Sequence, residues 1–174
     1  MIKRDISENL VKTVYLAVGS NIGNKTLNIA ITKYKLQNLG IKILKSSSNY
    51  ETLSWPDKTK PKFINIVLKI ETYFTAKKLL EICNKIEYEM GRKRIKKNDP
   101  RTCDIDIIDY DQRITRYDAG LNLILPHPEI SKRNFVLLPL FEISKSWKHP
   151  ITKIGIAKLI DLLSIKDLTA IKQI

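Results

Sequence analysis

The chain has 174 residues, the length of one domain that can bury a core without disulfide or metal staples. It is 43% hydrophobic and 28% charged, ordinary for a globular protein, but its formal net charge of +13 favours an anionic partner: nucleic acid, an acidic membrane surface or a polyphosphate. Two cysteines without CxxC spacing, Cys83 and Cys103, and only two histidines exclude a disulfide framework and a His/Cys metal cluster.

Abundant Lys, Ile and Asn beside scarce Gly make compositional drift a competing source of the charge. At the N-terminus Lys3 and Arg4 are followed by Asp5 and Glu8. The first apolar run, Val14 to Val18, is too short for a signal peptide or a membrane span, so a cytoplasmic location is expected.

Thr13 to Val18 reads as a buried strand ended by Gly19. Asn24 to Leu39 reads as a helix with Leu27, Ile31, Tyr34, Leu36 and Leu39 as its stripe and Gly40 as its stop. Ile41 to Tyr50 alternates and then turns Ser-rich. Ser54 to Pro61 is a loop by its prolines and polarity. Phe63 to Thr72 is a strong strand, and Thr75 to Met90 a helix with Leu79, Ile82, Ile86 and Met90 on one face. A basic loop, Gly91 to Pro100, leads into a strand from Thr102 to Tyr110. Ile114 and Leu121 to Leu125 suggest short strands, Phe135 to Phe141 a short helix, and Gly155 to Leu163 an amphipathic one. The order β-α-β-β-α-β with C-terminal additions predicts an α+β, ferredoxin-like fold: an antiparallel sheet with two helices on one face. A single domain is expected, with a core of about 13–145 and a helical tail of about 151–174.

The richest stretch is Arg101-Thr-Cys-Asp-Ile-Asp-Ile-Ile108. Strand alternation puts Asp104 and Asp106 on one face, their Cα atoms about 6.5–7 Å apart, a span that one or two hard cations can bridge. Adjacent carboxylates repel, and a cation relieves this. The competing reading is the solvent face of an amphipathic strand. Upstream, Arg92, Lys93, Arg94, Lys96, Lys97 and Arg101 suit a polyphosphate, although a solvated loop or a nucleic-acid contact would use the same residues. Gly19 to Thr26 nearly matches a Walker A loop but has Asn24 where Gly is required, so a tight turn capped by Asn24 is the better reading. Asn65 interrupts an apolar run, either to satisfy a backbone group or to read a ligand's hydrogen-bonding edge. His127 sits between two prolines near Lys132 and Arg133. Phe63 and Phe135 are core residues or the walls of a flat pocket.

In chain order, Tyr15-Leu-Ala-Val-Gly-Ser-Asn21, Ser48-Asn-Tyr-Glu-Thr52, Phe63-Ile-Asn65, Ile86-Glu87 with Gly91-Arg92, Pro100-Arg-Thr-Cys-Asp-Ile-Asp106, Leu125-Pro-His127, Arg133-Asn-Phe135 and Leu138-Pro-Leu-Phe-Glu142 form a specific set. Together they resemble the 6-hydroxymethyl-7,8-dihydropterin pyrophosphokinase family of folate biosynthesis, over about Val14 to Ile143. The resemblance implies transfer of pyrophosphate from ATP to a hydroxymethyl dihydropterin, with AMP leaving. It implies two Mg2+ ions on Asp104 and Asp106, ATP contacts from Glu87, Arg92, Arg101, His127 and Arg133, and pterin contacts from Thr52, Phe63, Asn65 and Phe135. Arg92 and Arg101 would also serve catalysis, and Gly19, Ser20 and Asn21 would form a turn near the pterin pocket. The loops around Ser54–Lys62 and Arg92–Asp99 would close over the substrates.

The chain departs from the pattern at Asp99, where a small residue is common, at Asn98, where some members have Trp, and at Leu53, where proline is common. An acid at 99 is expected to weaken ATP binding or loop closure. The competing class is a basic RNA-binding domain on the same fold. It would need exposed aromatics in an RNP run, and the central strands offer only Tyr15 and Phe63. No membrane or nucleic-acid partner is expected, and a monomer is expected.

Overall fold

The computed structural model describes residues 10–54, 57–92, 99–115 and 123–174. Trp55, Pro56, the loop cations Lys93, Arg94, Lys96 and Lys97, Asn98, and the expected strand start at Leu121 lie outside the described residues, as do Lys3 and Arg4. Six strands form one sheet: β1 (Lys12–Ser20), β2 (Lys42–Ser46), β3 (Tyr50–Thr52), β4 (Phe63–Thr72), β5 (Asp104–Tyr110) and β6 (Ile171–Gln173). The helices are α1 (Lys25–Asn38), α2 (Ala76–Glu89), α3 (Asn134–Ile143), α4 (Ile156–Asp161) and α5 (Ile165–Thr169). The sheet order is β5-β1-β4-β3-β6, with β2 also on β4, and every pairing is antiparallel. This is the expected ferredoxin-like order. Each βαβ unit is split by an intervening strand, which lets a helix return the chain without parallel neighbours.

Period-two alternation divides the core between the two sheet faces. Val14, Leu16 and Val18 of β1, Ile64, Ile66, Leu68 and Ile70 of β4, and Ile105 and Ile107 of β5 pack with α1 and α2 residues such as Ile29, Leu36, Leu79 and Ile86. The opposite face, through Tyr15, Val67 and Ile108, packs under Val136, Leu137 and Leu140 of α3, with Trp147, Ile156 and Leu159 closing the cluster. The sheet is therefore covered on both faces. Each fully buried Leu or Ile in these layers is stabilised by about 1.5–3 kcal/mol relative to exposure.

Four local expectations change. Gly19 does not end β1, which runs through it to Ser20. The buried stripe of α1 is Ile29, Thr32 and Leu36, while Leu27 and Tyr34 are 52% and 64% exposed. The helix pivots on polar contacts: Thr32 Oγ1 donates to the Asn28 carbonyl and lies 3.2 Å from Cys103 Sγ, so a polar residue faces the core. The tail is more than a helix, because after α5 the chain adds β6 to the sheet edge beside β3. Beyond β5, among the described residues, Thr115 and Leu125 form a single bridge in place of the short strands. No helix among the described residues is long and apolar enough to cross a membrane.

Candidate active site

Residues in register across antiparallel strands share a face. Across the sheet, Asp104 of β5 pairs with Gly19 of β1, Gly19 with Asn65 of β4, and Asn65 with Tyr50 of β3. The next row on that face is Asp106, Ala17 and Val67, and Phe63 pairs with Thr52. Ile105 and Ile107 point to the α1–α2 layer, so both acids face the α3 side, as does Asn65 between the inward Ile64 and Ile66. Between the acids and Asn65 the middle strand offers only a glycine and an alanine. That leaves a shallow floor flanked by carboxylates on one side and an amide on the other.

The acids are embedded in positive charge. Arg92 Nη1 donates to Asp104 Oδ1 at 2.6 Å, and Arg101 Nη2 lies 2.7 Å from Asp104 Oδ2. Arg133 Nη1 donates to Asp106 Oδ2 at 2.8 Å, with His127 Nε2 at 3.8 Å from the same oxygen. Burial works against the charge of Arg92, but Asp104 and Glu87 outweigh it and raise its pKa. Burial, ahead of the opposing pull of Asp106, lowers the pKa of His127. The His127 Nδ1 accepts from the Glu129 backbone N–H at 3.1 Å, which turns Nε2 toward Asp106. A hydrogen bond from the His127 N–H to the Ile108 carbonyl ties this loop to β5. Arg101 Nε is buried with no hydrogen-bond partner among the described residues, an unused donor in a cationic cluster. Such a donor suits an anionic oxygen.

Glu87, only 3% exposed, lies under the site. It ion-pairs Arg92 and accepts from the Ile105 backbone N–H at 2.8 Å, joining α2 to β5 and aiming Arg92 at Asp104. The resemblance implies a nucleotide contact for Glu87; in the structure its carboxylate lies against Arg92 and the Ile105 N–H.

On the other side, Asn65 Nδ2 donates to Thr52 Oγ1 at 2.9 Å, and both side chains are buried. The guanidinium of Arg101 lies 5.1 Å from the Phe63 ring centre and that of Arg133 lies 5.6 Å from the Phe135 ring centre. Cation–π stacking thus joins the aromatic and cationic parts of the site. The surrounding loops are tied in: Asn21 accepts from the Arg101 N–H at 2.7 Å, donates its own N–H to the Arg101 carbonyl, and donates its side-chain N–H to the Pro61 carbonyl at 3.2 Å. Lys60 Nζ lies 3.9 Å from Asp99 Oδ1, linking the segments before β4 and β5.

Every site residue expected from sequence therefore gathers at one end of the α3 face, with Glu87 just beneath it. Reasoning from sequence missed the roles of Asn21 and Glu142. Glu142 of α3 accepts from the Ser48 N–H and hydroxyl and from the Tyr50 hydroxyl at 2.9 Å, fixing the approach to β3. Contacts spanning some 90 residues leave no local pattern, although a Ser-Asn after a strand glycine was a signal for Asn21. Asn24 caps α1 through the Leu27 N–H, as a plain turn would. The RNA-binding alternative loses its platform: Tyr15 is buried beneath α3 and bonded to Ser144.

Among the described residues no group of three or more His, Cys, Asp or Glu side chains could hold a metal. A two-carboxylate site fits Mg2+, which takes one or two carboxylates and completes its shell with water and phosphate oxygens.

Residues 15–145 match the family model described as 7,8-dihydro-6-hydroxymethylpterin-pyrophosphokinase. The chain is 39% identical over 139 residues to a 2-amino-4-hydroxy-6-hydroxymethyldihydropteridine pyrophosphokinase of Aquifex aeolicus, covering 80% of this chain and 84% of that one. It is 37% identical over 164 residues to the "Folic acid synthesis protein fol1" of Pneumocystis carinii, spanning 93% of this chain but only 22% of that longer protein. A crystal structure of Plasmodium falciparum HPPK-DHPS with pterin and p-hydroxybenzoate shares the fold, with a TM-score of 0.73 at 15% identity over 98% of this chain and 49% of that one.

Proposed function

The chain belongs to the 7,8-dihydro-6-hydroxymethylpterin-pyrophosphokinase family, and we propose that it transfers pyrophosphate from ATP to 6-hydroxymethyl-7,8-dihydropterin in folate biosynthesis. The observation that carries this reading is the row Asp104–Gly19–Asn65, which sets a cation-lined carboxylate pair opposite a buried amide. A polyphosphate fits the first side and a flat, hydrogen-bonding heterocycle the second.

Asp104 and Asp106 would hold Mg2+, which when bound offsets the charge gathering on the transferred phosphate oxygens. Arg92, Arg101 and Arg133 now neutralise the acids, and each has donors that suit phosphate oxygens. The free Nε of Arg101 is one such donor. Thr52 and Asn65 orient the pterin edge, while Phe63 and Phe135 supply aromatic faces. So held, the pterin's hydroxymethyl oxygen is aimed at the β-phosphorus. The new O–P bond forms as the bond from the β-phosphorus to the bridging oxygen breaks, AMP keeps that oxygen with its electron pair, and the hydroxyl proton passes to water. The protein's contribution is positioning and charge, as general for phosphoryl transfer.

Incubation with ATP, Mg2+ and 6-hydroxymethyl-7,8-dihydropterin tests this. AMP should form only when the pterin and the metal are both present. ADP as sole product, or no turnover by folded protein, would sink the reading.

A further inference from the structure

Gly19 lies within β1, one residue before its end, where glycine is unfavourable and where its backbone does not need a left-handed conformation. Something other than chain flexibility must account for it. A Cβ built on Gly19 would stand 2.8 Å from Asn65 Oδ1 and 3.4 Å from Cδ1 of Phe63. The first distance is too short for any real contact. The amide cannot easily retreat: Asn65 is 8% exposed, and its Nδ2 is tethered to Thr52 Oγ1 at 2.9 Å. That tether also fixes which end of the amide faces which way. One N–H of Nδ2 goes to Thr52, and Oδ1 is turned over the bare backbone of Gly19, toward the strand that carries Asp104.

We infer that Gly19 is a specificity-determining positioning residue: its missing side chain is the clearance that lets Asn65 present its carbonyl acceptor to the substrate. The inference rests on the proposed function and deepens it. The ring edge meeting Asn65 must carry an N–H donor, so heterocycles with an acceptor at that position are rejected, because the Asn65 carbonyl would be left buried without a partner. Alanine at 19 satisfies the strand backbone but forces the amide aside, with loss of either the Thr52 bond or the acceptor's aim.

Binding of 6-hydroxymethyl-7,8-dihydropterin, followed by its fluorescence with ATP binding measured separately, tests the inference. Gly19→Ala should weaken pterin binding on the order of tenfold, the scale of a lost buried hydrogen bond, with ATP binding within about twofold of wild type. In an Asn65→Ala background there is no amide to displace, so adding Gly19→Ala should change pterin binding by less than about twofold. Unchanged pterin binding by Gly19→Ala overturns the inference, as does an equal further loss in the Asn65→Ala background. Should Gly19→Ala fail to fold, the double variant should fold, and its failure as well would assign Gly19 to packing alone. A wild-type protein that binds no pterin overturns the proposed function and this inference with it; a wild type that binds alongside an unaffected Gly19→Ala overturns this inference alone.

Discussion

Asp104 has an arginine on each of its oxygens, and Asp106 has Arg133 on one of its own, so neither acid is an idle surface charge. Replacing either with Asn keeps the shape but removes the charge and turns one acceptor oxygen into a donor. Asp104→Asn and Asp106→Asn should each lower kcat for AMP formation by roughly a thousandfold or more, with the melting temperature kept within a few degrees. Retained turnover in either variant would rule out the metal assignment. Asp99 is a further acid near the site, partly offset by Lys60 at 3.9 Å. A half-buried pair at this separation offsets the charge only in part, so some of its repulsion toward phosphate survives. Asp99→Gly should therefore lower the KM for ATP by about two- to threefold, a modest gain consistent with a screened charge. Steady-state kinetics decides it, and an unchanged or raised KM would show that the acid at 99 is harmless.

At the scale of elements, the short strand β3 owes its position to α3. Glu142 gathers the Ser48 N–H and the hydroxyls of Ser48 and Tyr50, and β3 in turn presents Thr52 to Asn65. Burial, then the bond to Glu142, pushes the Tyr50 hydroxyl from its ordinary pKa near 10 up to about 12. A group whose pKa is raised on folding contributes stability below its unfolded pKa and loses it as pH climbs toward the folded value. Wild type should thus lose about 2 kcal/mol relative to Tyr50→Phe between pH 10 and pH 12. At pH 8 the Phe variant should be the less stable by about 1–2 kcal/mol, since it lacks the hydrogen bond to a charged partner. Denaturant titrations at both ends of the range check the sign, and a gap constant with pH would show that folding does not raise the Tyr50 pKa.

For the whole molecule, the C-terminal segment completes the sheet as well as covering it. β6 pairs Tyr50 with Gln173 and Thr52 with Ile171, and Asn134 beside Arg133 donates to the Asp167 carbonyl at 2.5 Å. Removing residues 170–174 should lower the melting temperature by about 5 °C through loss of this edge ladder. It should also raise the KM for the pterin several-fold while the KM for ATP stays within about twofold, because β3 carries Thr52 and the cations lie elsewhere. A tail that matters only to stability would move the melting temperature and leave both KM values alone.

Much of this was legible in the sequence because it is written in local periods. Alternation in Phe63–Thr72 and Asp104–Tyr110, and the helical stripe ending at Met90, follow from geometry that repeats every two or 3.6 residues. Alternation also determined that Asp104 and Asp106 share a face, and the ordered motifs pointed to the family. Local pattern failed where contacts are remote. It misplaced the buried face of α1, whose helix is turned by Thr32 against Cys103, and it gave the tail a helix without its strand. Only the tertiary structure decided that Glu87 ion-pairs Arg92 from beneath the site, and that Glu142 holds β3. It also decided why residue 19 is glycine, because that reason is Asn65, which lies 46 residues away in sequence and one strand away in space.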